Sequence, residues 1–290
     1  MSGFDLANGD YITRSLTNEE IWDAFDWLFS GASKNDASYK FIFFKSITDC
    51  LEHSNNGYFT FDTVFRRFTQ ISWNLILKYN IIQKRRQSDG RITLLEQCVF
   101  SYGYAGDAIL DFNNFSLSDQ NKITRNIKNN CKTYVVGALY ADMKGYFYSF
   151  NKKEEWINVN PQMISFIETN RHILDGLNYY KWAQFYERVN DDSVKTALYE
   201  QFGYNEEESV FYKVLKNEFE FGDSGEQQEV NTLELLFEAE KSEERAEDMS
   251  MFTNYEVETE LYKDIEHFKQ YVDDPICLLK QLKKEKHIEF

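Results

Sequence analysis

The sequence has little proline, few cysteines and no long apolar run. Only two prolines, Pro161 and Pro275, occur in 290 residues, so most helices can continue without interruption. The cysteines lie far apart in the chain, at Cys50, Cys98, Cys131 and Cys277. This spacing excludes a CxxC zinc knuckle and a CxxC redox pair. We therefore expect lone, buried thiols in a reducing compartment.

Signals for membranes and export are missing as well. No apolar run approaches the roughly 20 residues that a helix needs to cross a bilayer. The N-terminal stretch MSGFDLANGDYITRS lacks the basic and then apolar pattern of a signal peptide. We expect a cytoplasmic protein with no membrane partner.

Catalytic signatures are absent from the sequence. It contains no GxxxxGK[ST], GxGxxG, GxSxG or HExxH motif. The histidines are widely separated, at His53, His172, His267 and His287. Carboxylates are abundant, but the best-spaced pair, Asp107 and Asp111, is typical of a solvated helix face. We predict no catalytic residue, no metal site and no cofactor, and hence a protein that is not an enzyme.

The composition nevertheless supports a large core, because 42% of residues are hydrophobic and 17% are aromatic. Thr17 and Glu20 form a capping box that starts a first helix. ASYKFIFFKSITDCL places Tyr39, Phe43 and Ile47 on one buried helix face. A long helix is expected from about Asp62 to Tyr79. The inward residues of that helix are predicted to be Val64, Phe65, Phe68, Ile71, Leu75 and Tyr79.

Between residues 81 and 95, IIQKRRQSDGRITLL carries an Asp-Gly turn between β-branched and basic residues, which indicates a hairpin. With the preceding helices and a short strand near Phe59, this gives the element order of a winged helix. The alternative is that a helix resumes at Ile92.

Strand-like aromatic runs occur between Tyr134 and Asn160, in YVVGALYADMKGYFYSFNKKEEWINVN. They predict a three-stranded antiparallel meander after a polar helix over residues 117–132. Helices follow from Pro161 and over LNYYKWAQFYERVN. The predicted fold class is α+β, mainly helical, with a small antiparallel β-meander and a winged-helix-like N-terminal part.

The net charge of −16 is concentrated in one segment. Residues 191–266 hold 23 acidic and 6 basic residues, a net of −17, whereas residues 1–190 hold 21 of each sign. We predict a compact domain over 1–190 and an acidic helical region over 191–290. Apolar stripes in the acidic region indicate helices that dock on a partner. The stripe residues are Leu233, Leu236, Phe237, Val257, Leu261, Ile265 and Phe268.

A local excess of basic residues in the neutral half predicts a nucleic-acid-binding surface, since phosphate neutralisation requires clustered cations. The predicted residues are Arg66, Arg67, Lys78, Lys84, Arg85, Arg86 and Arg91. A second basic cluster consists of Lys122, Arg125, Lys128 and Lys132. The alternative is that these charges only solubilise their elements or pair with the acidic region.

Four blocks together, ASYKFIFFKSITDCL, ISWNLILKYNIIQ, YVVGALYADMKGYFYSF and LNYYKWAQFYERVN, resemble the N-terminal region of a group of bacterial HNH endonucleases found near phage-defence genes. The resemblance spans about residues 37–190. The paired cysteines and the His-Asn-His site of that family have no counterpart here, so the resemblance implies a fold and a DNA-facing role but no catalytic residue.

These features lead us to expect a non-catalytic accessory subunit of a bacterial anti-phage or DNA-processing complex. Its expected partners are a nuclease or an SMC-like or Rad50-like ATPase, together with DNA. Two alternatives stay open: a metal-dependent endonuclease with a carboxylate site, and an acidic regulator that mimics DNA.

Overall fold

The computed structural model describes residues 5–30, 33, 35–52, 56–86, 90–204 and 208–219. The helices in this part of the chain are α1 (Asn18–Phe29), α2 (Tyr39–Leu51), α3 (Phe61–Leu77), α4 (Leu94–Tyr102), α5 (Leu117–Asp142), α6 (Pro161–Thr169), α7 (Arg171–Val189), α8 (Asp192–Phe202) and α9 (Val210–Phe219). The strands are β1 (Asn8–Gly9), β2 (Tyr58–Thr60), β3 (Tyr104–Ala105), β4 (Ala108–Ile109), β5 (Tyr148–Asn151) and β6 (Trp156–Val159). None of these helices is both long and apolar enough to span a bilayer.

The strands form two antiparallel sheets. The larger sheet has the order β1-β5-β6-β2, with Phe59 opposite Ile157 and Phe150 also opposite Ile157. The smaller sheet is the β3–β4 hairpin, in which Tyr104 pairs with Ile109. The structure thus confirms the predicted α+β class, mainly helical with a small antiparallel sheet.

Helix α2 occupies the centre of the N-terminal unit and packs against α3, α5 and α7. Its aromatic residues contact both sides: the ring centroids of Phe43 and Phe65 lie 5.4 Å apart, and those of Phe41 and Trp182 lie 6.3 Å apart. All six residues predicted to face inward on α3 and just after it are buried. On α2, the predicted inward residues Phe43 and Ile47 are buried as well, whereas Tyr39 is half-buried.

The prediction of a three-stranded meander was wrong for its first strand. Helix α5 continues without a break to Asp142, so the run that begins at Tyr134 is helical. Val135 and Leu139 extend the buried i,i+4 series of this helix, and neither is exposed. The turn after it uses positive φ at Lys144 and Gly145. Burial along one helix face outweighed the strand propensity of the β-branched and aromatic residues.

The prediction of a winged-helix hairpin is also wrong for the described residues. Between α3 and α4, no strand occurs at 78–86 or 90–93, and β2 pairs with β6. Thr93 and Glu96 form a capping box that starts α4 at Leu94. The alternative that a helix resumes near Ile92 lies closer to the structure.

The compact N-terminal unit runs from Met1 to Leu215 and continues past the boundary expected at residue 190. Helices α8 and α9 pack on it, since Phe202 contacts Tyr79 with ring centroids 5.9 Å apart and Phe211 contacts Tyr186 at 5.7 Å. The second unit covers Lys216–Phe290. Most of the acidic region therefore lies outside the described residues.

Candidate nucleic-acid interface

The seven predicted nucleic-acid-binding residues fall into two structural groups. Arg66 and Arg67 lie in the N-terminal half of α3 and are half-buried. The remaining five are exposed; they are Lys78 at the end of α3, Lys84, Arg85 and Arg86 in the loop that follows, and Arg91 just before α4. The structure therefore does not bring all seven into one surface.

Arg67 belongs to an ion-pair network between α2, α3 and α7. Its Nε donates to Asp49 Oδ2 at 2.7 Å. Lys45 Nζ lies 2.8 Å from Asp49 Oδ1 and 3.3 Å from Asp175 Oδ2. Arg171 Nη2 donates to Asp49 Oδ1 at 2.8 Å. Three cations thus surround Asp49, and Arg67 is committed to the fold.

The network is closed at its α7 end by Arg171. Its Nε donates to Asp175 Oδ2 at 2.9 Å, and its Nη1 donates to the Thr48 carbonyl at 2.7 Å. Burial by itself raises the pKa of Asp49, but the positive charges of Lys45 and Arg67 outweigh that effect and hold the pKa below its ordinary value. The carboxylate is therefore ionised at neutral pH and neutralises its neighbours.

Arg66 has a neutral partner instead. Its Nη2 donates to Gln120 Oε1 on α5, while Gln120 Nε2 donates to the carbonyls of Asn113 and Phe115. The hydrogen bond positions the guanidinium without cancelling its charge. Arg66 therefore differs both from Arg67 and from the exposed cations after α3.

The loop after α3 is fixed at its base by the buried side chain of Gln83. Ser38 Oγ and Tyr186 Oη donate to Gln83 Oε1 at 2.6 and 2.8 Å, and Gln83 Nε2 donates to the Ile81 carbonyl at 2.7 Å. The backbone N–H of Gln83 also donates to Glu96 Oε1 at 3.0 Å. Every polar atom of this side chain has a partner, so the loop base is held in one conformation.

A second contact anchors the same loop to the end of α7. Asn190 accepts from the Ile82 amide at 2.7 Å and donates to the Ile82 carbonyl at 3.2 Å. Ile81 is buried, and its amide donates to the Leu75 carbonyl at 2.9 Å. Asn80 adopts φ 52°, a value that asparagine tolerates better than most residues. The chain therefore turns at Asn80 into a segment in which Ile81 and Gln83 are buried.

Lys84, Arg85 and Arg86 follow this anchored segment directly and are all exposed. One acidic group lies close to them: the pKa of Asp191 is lowered, mainly by a hydrogen bond from Ser193 Oγ and to a smaller extent by the charge of Arg86. These three consecutive cations directly after a fixed loop base form the strongest positive feature among the predicted residues. We call Lys84, Arg85 and Arg86 the basic loop.

The second basic cluster on α5 is also divided. Lys128 Nζ lies 2.6 Å from both Asp62 Oδ1 and Glu155 Oε2, and Lys132 Nζ lies 2.6 Å from Glu155 Oε1. Lys122 and Arg125 are exposed. Half of this cluster therefore fixes α5 to the β5–β6 turn, and the other half faces solvent.

Sequence reasoning missed the β3–β4 hairpin and a cleft beside it. The cleft has a volume of about 300 Å³ and lies between the C-terminal part of α3 and the strand β4. Trp73, Leu77 and Lys78 line one side, and Ile109 and Asp111 lie on the other. The local signal for the hairpin was the pair of glycines, Gly103 and Gly106.

Two of the described cysteines have raised pKa values. Burial raises the pKa of Cys50 to about 12 and that of Cys98 to about 11, so both thiols are protonated at neutral pH. No group of three or more His, Cys, Asp or Glu side chains in the described ranges could hold a metal ion.

The predicted partner-binding residues all lie outside the described residues; they are Leu233, Leu236, Phe237, Val257, Leu261, Ile265 and Phe268. Comparison of the chain with protein-family models, with curated proteins and with solved structures finds no match.

Proposed function

We propose that this chain is a non-catalytic accessory subunit that contacts nucleic acid through the basic loop, with Lys78 and Arg91 on either side of it. The observation that carries the proposal is the position of three consecutive exposed cations directly after a loop base fixed by buried hydrogen bonds. The base of the loop is held in place before a ligand arrives, so this part of the chain costs no further conformational entropy on binding.

Phosphate is the ligand group that best fits such a surface. Each cation that neutralises a phosphate releases condensed counterions, and this release drives binding that depends steeply on salt. Three other predicted or clustered basic residues, Arg67, Lys128 and Lys132, are less suited to this role because they are engaged with carboxylates of the same chain.

The acidic region supports a role within a larger assembly. Its net charge of −17 over residues 191–266 suits a basic surface on another protein, and its apolar stripes suit a groove. A DNA-processing or anti-phage complex with a nuclease or an SMC-like ATPase is the setting that the resemblance of residues 37–190 suggests. Deletion of residues 229–290 is expected to abolish co-purification with such partners; retained co-purification would contradict the docking role.

The nucleic-acid role is tested by removing the charges of the basic loop. In Lys84→Gln/Arg85→Gln/Arg86→Gln, the Kd for a labelled DNA duplex should rise at least tenfold at 0.15 M salt. The plot of log K against log salt should become less steep, with the magnitude of its negative slope reduced by up to about one for each lost phosphate contact. Fluorescence anisotropy over a salt series measures both quantities.

The matched control is Arg14→Gln/Lys144→Gln/Lys153→Gln, which removes three charges from exposed positions elsewhere on the unit. It should change Kd less than threefold, because only the long-range field is altered. If both triple variants weaken binding equally, or if neither does, the assignment to the basic loop is wrong.

A further inference from the structure

The cleft beside the β3–β4 hairpin combines a fixed apolar interior with polar groups at its edge. Trp73 Nε1 donates to the Leu110 carbonyl at 2.7 Å, which ties the strand β4 to α3. The ring of Trp73 packs on Phe112 and Phe115, each with centroids 5.6 Å away. The cleft is therefore part of the folded unit rather than a gap under a loose hairpin.

The base of the hairpin is equally constrained. Leu110 donates its amide hydrogen to the Gly103 carbonyl at 2.9 Å. A Cβ atom at Gly103 would lie 2.4 Å from Leu77 Cδ1 and 2.8 Å from the Val99 carbonyl oxygen, so only glycine fits there. The two sides of the cleft are thus held at a fixed separation.

An exposed aromatic residue stands on the same face of the hairpin. Tyr104 is the cross-strand partner of Ile109, and directly paired residues project to the same face of an antiparallel ribbon. Tyr104 and Ile109 are 45% and 51% exposed, although both are large and apolar. Phe100 stacks on Tyr104 with centroids 6.4 Å apart and an interplanar angle of 24°, which orients the tyrosine ring.

Two lysines lie near the residues of this aromatic surface. Lys78 lines the cleft on the α3 side and begins the segment that leads to the basic loop. Lys122 Nζ lies 5.7 Å from the ring centroid of Tyr102, two residues before Tyr104. Asp111 lines the cleft itself. The cleft lining thus carries one positive and one negative side chain and is otherwise largely apolar, which suits an uncharged ring better than a phosphate.

We propose that this cleft takes an unpaired nucleobase, with neighbouring bases stacked on Tyr104, so that the ligand of the basic loop is single-stranded nucleic acid. The proposal rests on the proposed function, because it assumes that the phosphates of the same strand reach the basic loop. In a duplex the bases are stacked and paired, so an aromatic ring cannot reach their faces. Stacking on aromatic side chains combined with a cationic path is the usual mode of single-strand binding.

The test compares three labelled ligands on the full chain by fluorescence anisotropy. They are a 12-nucleotide single strand, the blunt duplex of the same sequence, and a single strand of equal length whose six central positions are abasic. The variant is Tyr104→Ala, and the control is Tyr58→Ala, which removes a similarly exposed tyrosine from the strand β2. Both replaced side chains are exposed, so both variants should fold.

The wild-type chain should bind the intact single strand about tenfold more tightly than the abasic strand, since the two differ only in bases. Tyr104→Ala should lose most of this difference and keep the Kd for the duplex within about twofold. Tyr58→Ala should behave as the wild-type chain. The strand is tested as DNA and as RNA, and base-dependent binding of either supports the proposal.

Two negative outcomes have separate meanings. If intact and abasic strands bind equally, or if Tyr104→Ala leaves their ratio unchanged, the nucleobase proposal is overturned while binding through the basic loop stands. If none of the three ligands binds to the wild-type chain, the proposed function fails and this inference fails with it.

Discussion

The cations of helix α3 and those of the loop that follows it have opposite roles, although the sequence presents them as one cluster. Arg67 is held by Asp49 inside a network of three cations, in which Asp49 is buried and Asp175 is half-buried. Lys84, Arg85 and Arg86 lie only 17 to 19 positions later in the chain and are fully on the surface. Charge density along a sequence therefore does not measure charge available to a ligand.

The difference follows from what each segment packs against. A helix in the centre of a unit brings its polar residues close to those of its neighbours, and a desolvated charge must find an opposite charge there. The loop after α3 is anchored mainly by the neutral side chains of Gln83 and Asn190, and no ion pair among the described residues uses the charges of Lys84, Arg85 or Arg86 to hold it. Its cations stay available to an external anion.

The largest expected effect is the loss of the central carboxylate of the network. Asp49→Ala removes the carboxylate that Lys45, Arg67 and Arg171 share and leaves Asp175 and Glu52 to offset Lys45 and Arg171, so the free energy of unfolding should fall by about 3 kcal/mol. Urea denaturation followed by circular dichroism measures the change. Asp107→Ala, at an exposed position of the hairpin, should stay within about 0.5 kcal/mol of wild type. Equal stability of the two variants would mean that the network does not hold the fold.

A smaller effect separates the two groups of cations directly. Arg67→Gln should lower the free energy of unfolding by about 1 kcal/mol, because its side chain is 31% exposed and Asp49 keeps two other cations. Its Kd for nucleic acid should stay within twofold. Arg85→Gln should do the opposite, with unchanged stability and weaker binding. If Arg67→Gln weakened binding and Arg85→Gln lowered stability, the division into structural and exposed cations would be wrong.

The elements that were predicted correctly are those whose hydrophobic periodicity matches the burial of their residues in the structure. Phe43, Ile47 and Phe65 were assigned to buried helix faces and are not exposed at all. Residues 134–142 were assigned to a strand because valine and tyrosine favour strands, yet Ile127, Cys131, Val135 and Leu139 already continued a helical i,i+4 series. Following that series past residue 132 would have given the correct element.

The site was less accessible to sequence reasoning. The i,i+4 pair of Lys45 and Asp49 could be recognised from spacing alone, but the contacts of Asp49 with Arg67 and Arg171 depend on how three helices pack. The same holds for Gln83, whose partners Ser38 and Tyr186 are more than 40 positions away in each direction. Which cations stay exposed is a tertiary property, so the sequence could name the basic residues but not sort them.

The acid dependence of stability offers a further test on α5. Burial raises the pKa of Glu155, but the hydrogen bonds from Lys128 and Lys132 outweigh it, so the pKa lies below its ordinary value. A carboxyl group with a lowered folded-state pKa stabilises the protein above its unfolded pKa of about 4.3, and this contribution is lost as the pH falls through the folded-state value. Stability should therefore decline in acid below about pH 5.

Glu155→Gln should remove part of that decline. Its free energy of unfolding should be lower than that of wild type at pH 7, and the two should converge towards pH 3. Denaturation at several pH values between 7 and 3 gives the comparison, and Glu154→Gln is the control for loss of one carboxylate in the same turn. Parallel pH profiles for wild type and Glu155→Gln would show that Lys128 and Lys132 are not bound as structural cations.

The smallest expected effect concerns Arg66, which lies between the two groups because its charge is positioned by Gln120 but not neutralised by it. Arg66 precedes Lys78 by twelve positions in α3 and its cap, which corresponds to about 18 Å along a helix axis. The screening length at 0.15 M salt is about 8 Å, so the guanidinium contributes little to the field at the basic loop. Arg66→Gln should therefore change the Kd for single-stranded nucleic acid less than twofold at 0.15 M salt, and somewhat more at 0.02 M.

Fluorescence anisotropy at both salt concentrations, with Arg85→Gln as the reference, tests this prediction. If Arg66→Gln weakens binding as strongly as Arg85→Gln at 0.15 M salt, the nucleic acid also contacts α3, and the interface extends beyond the loop.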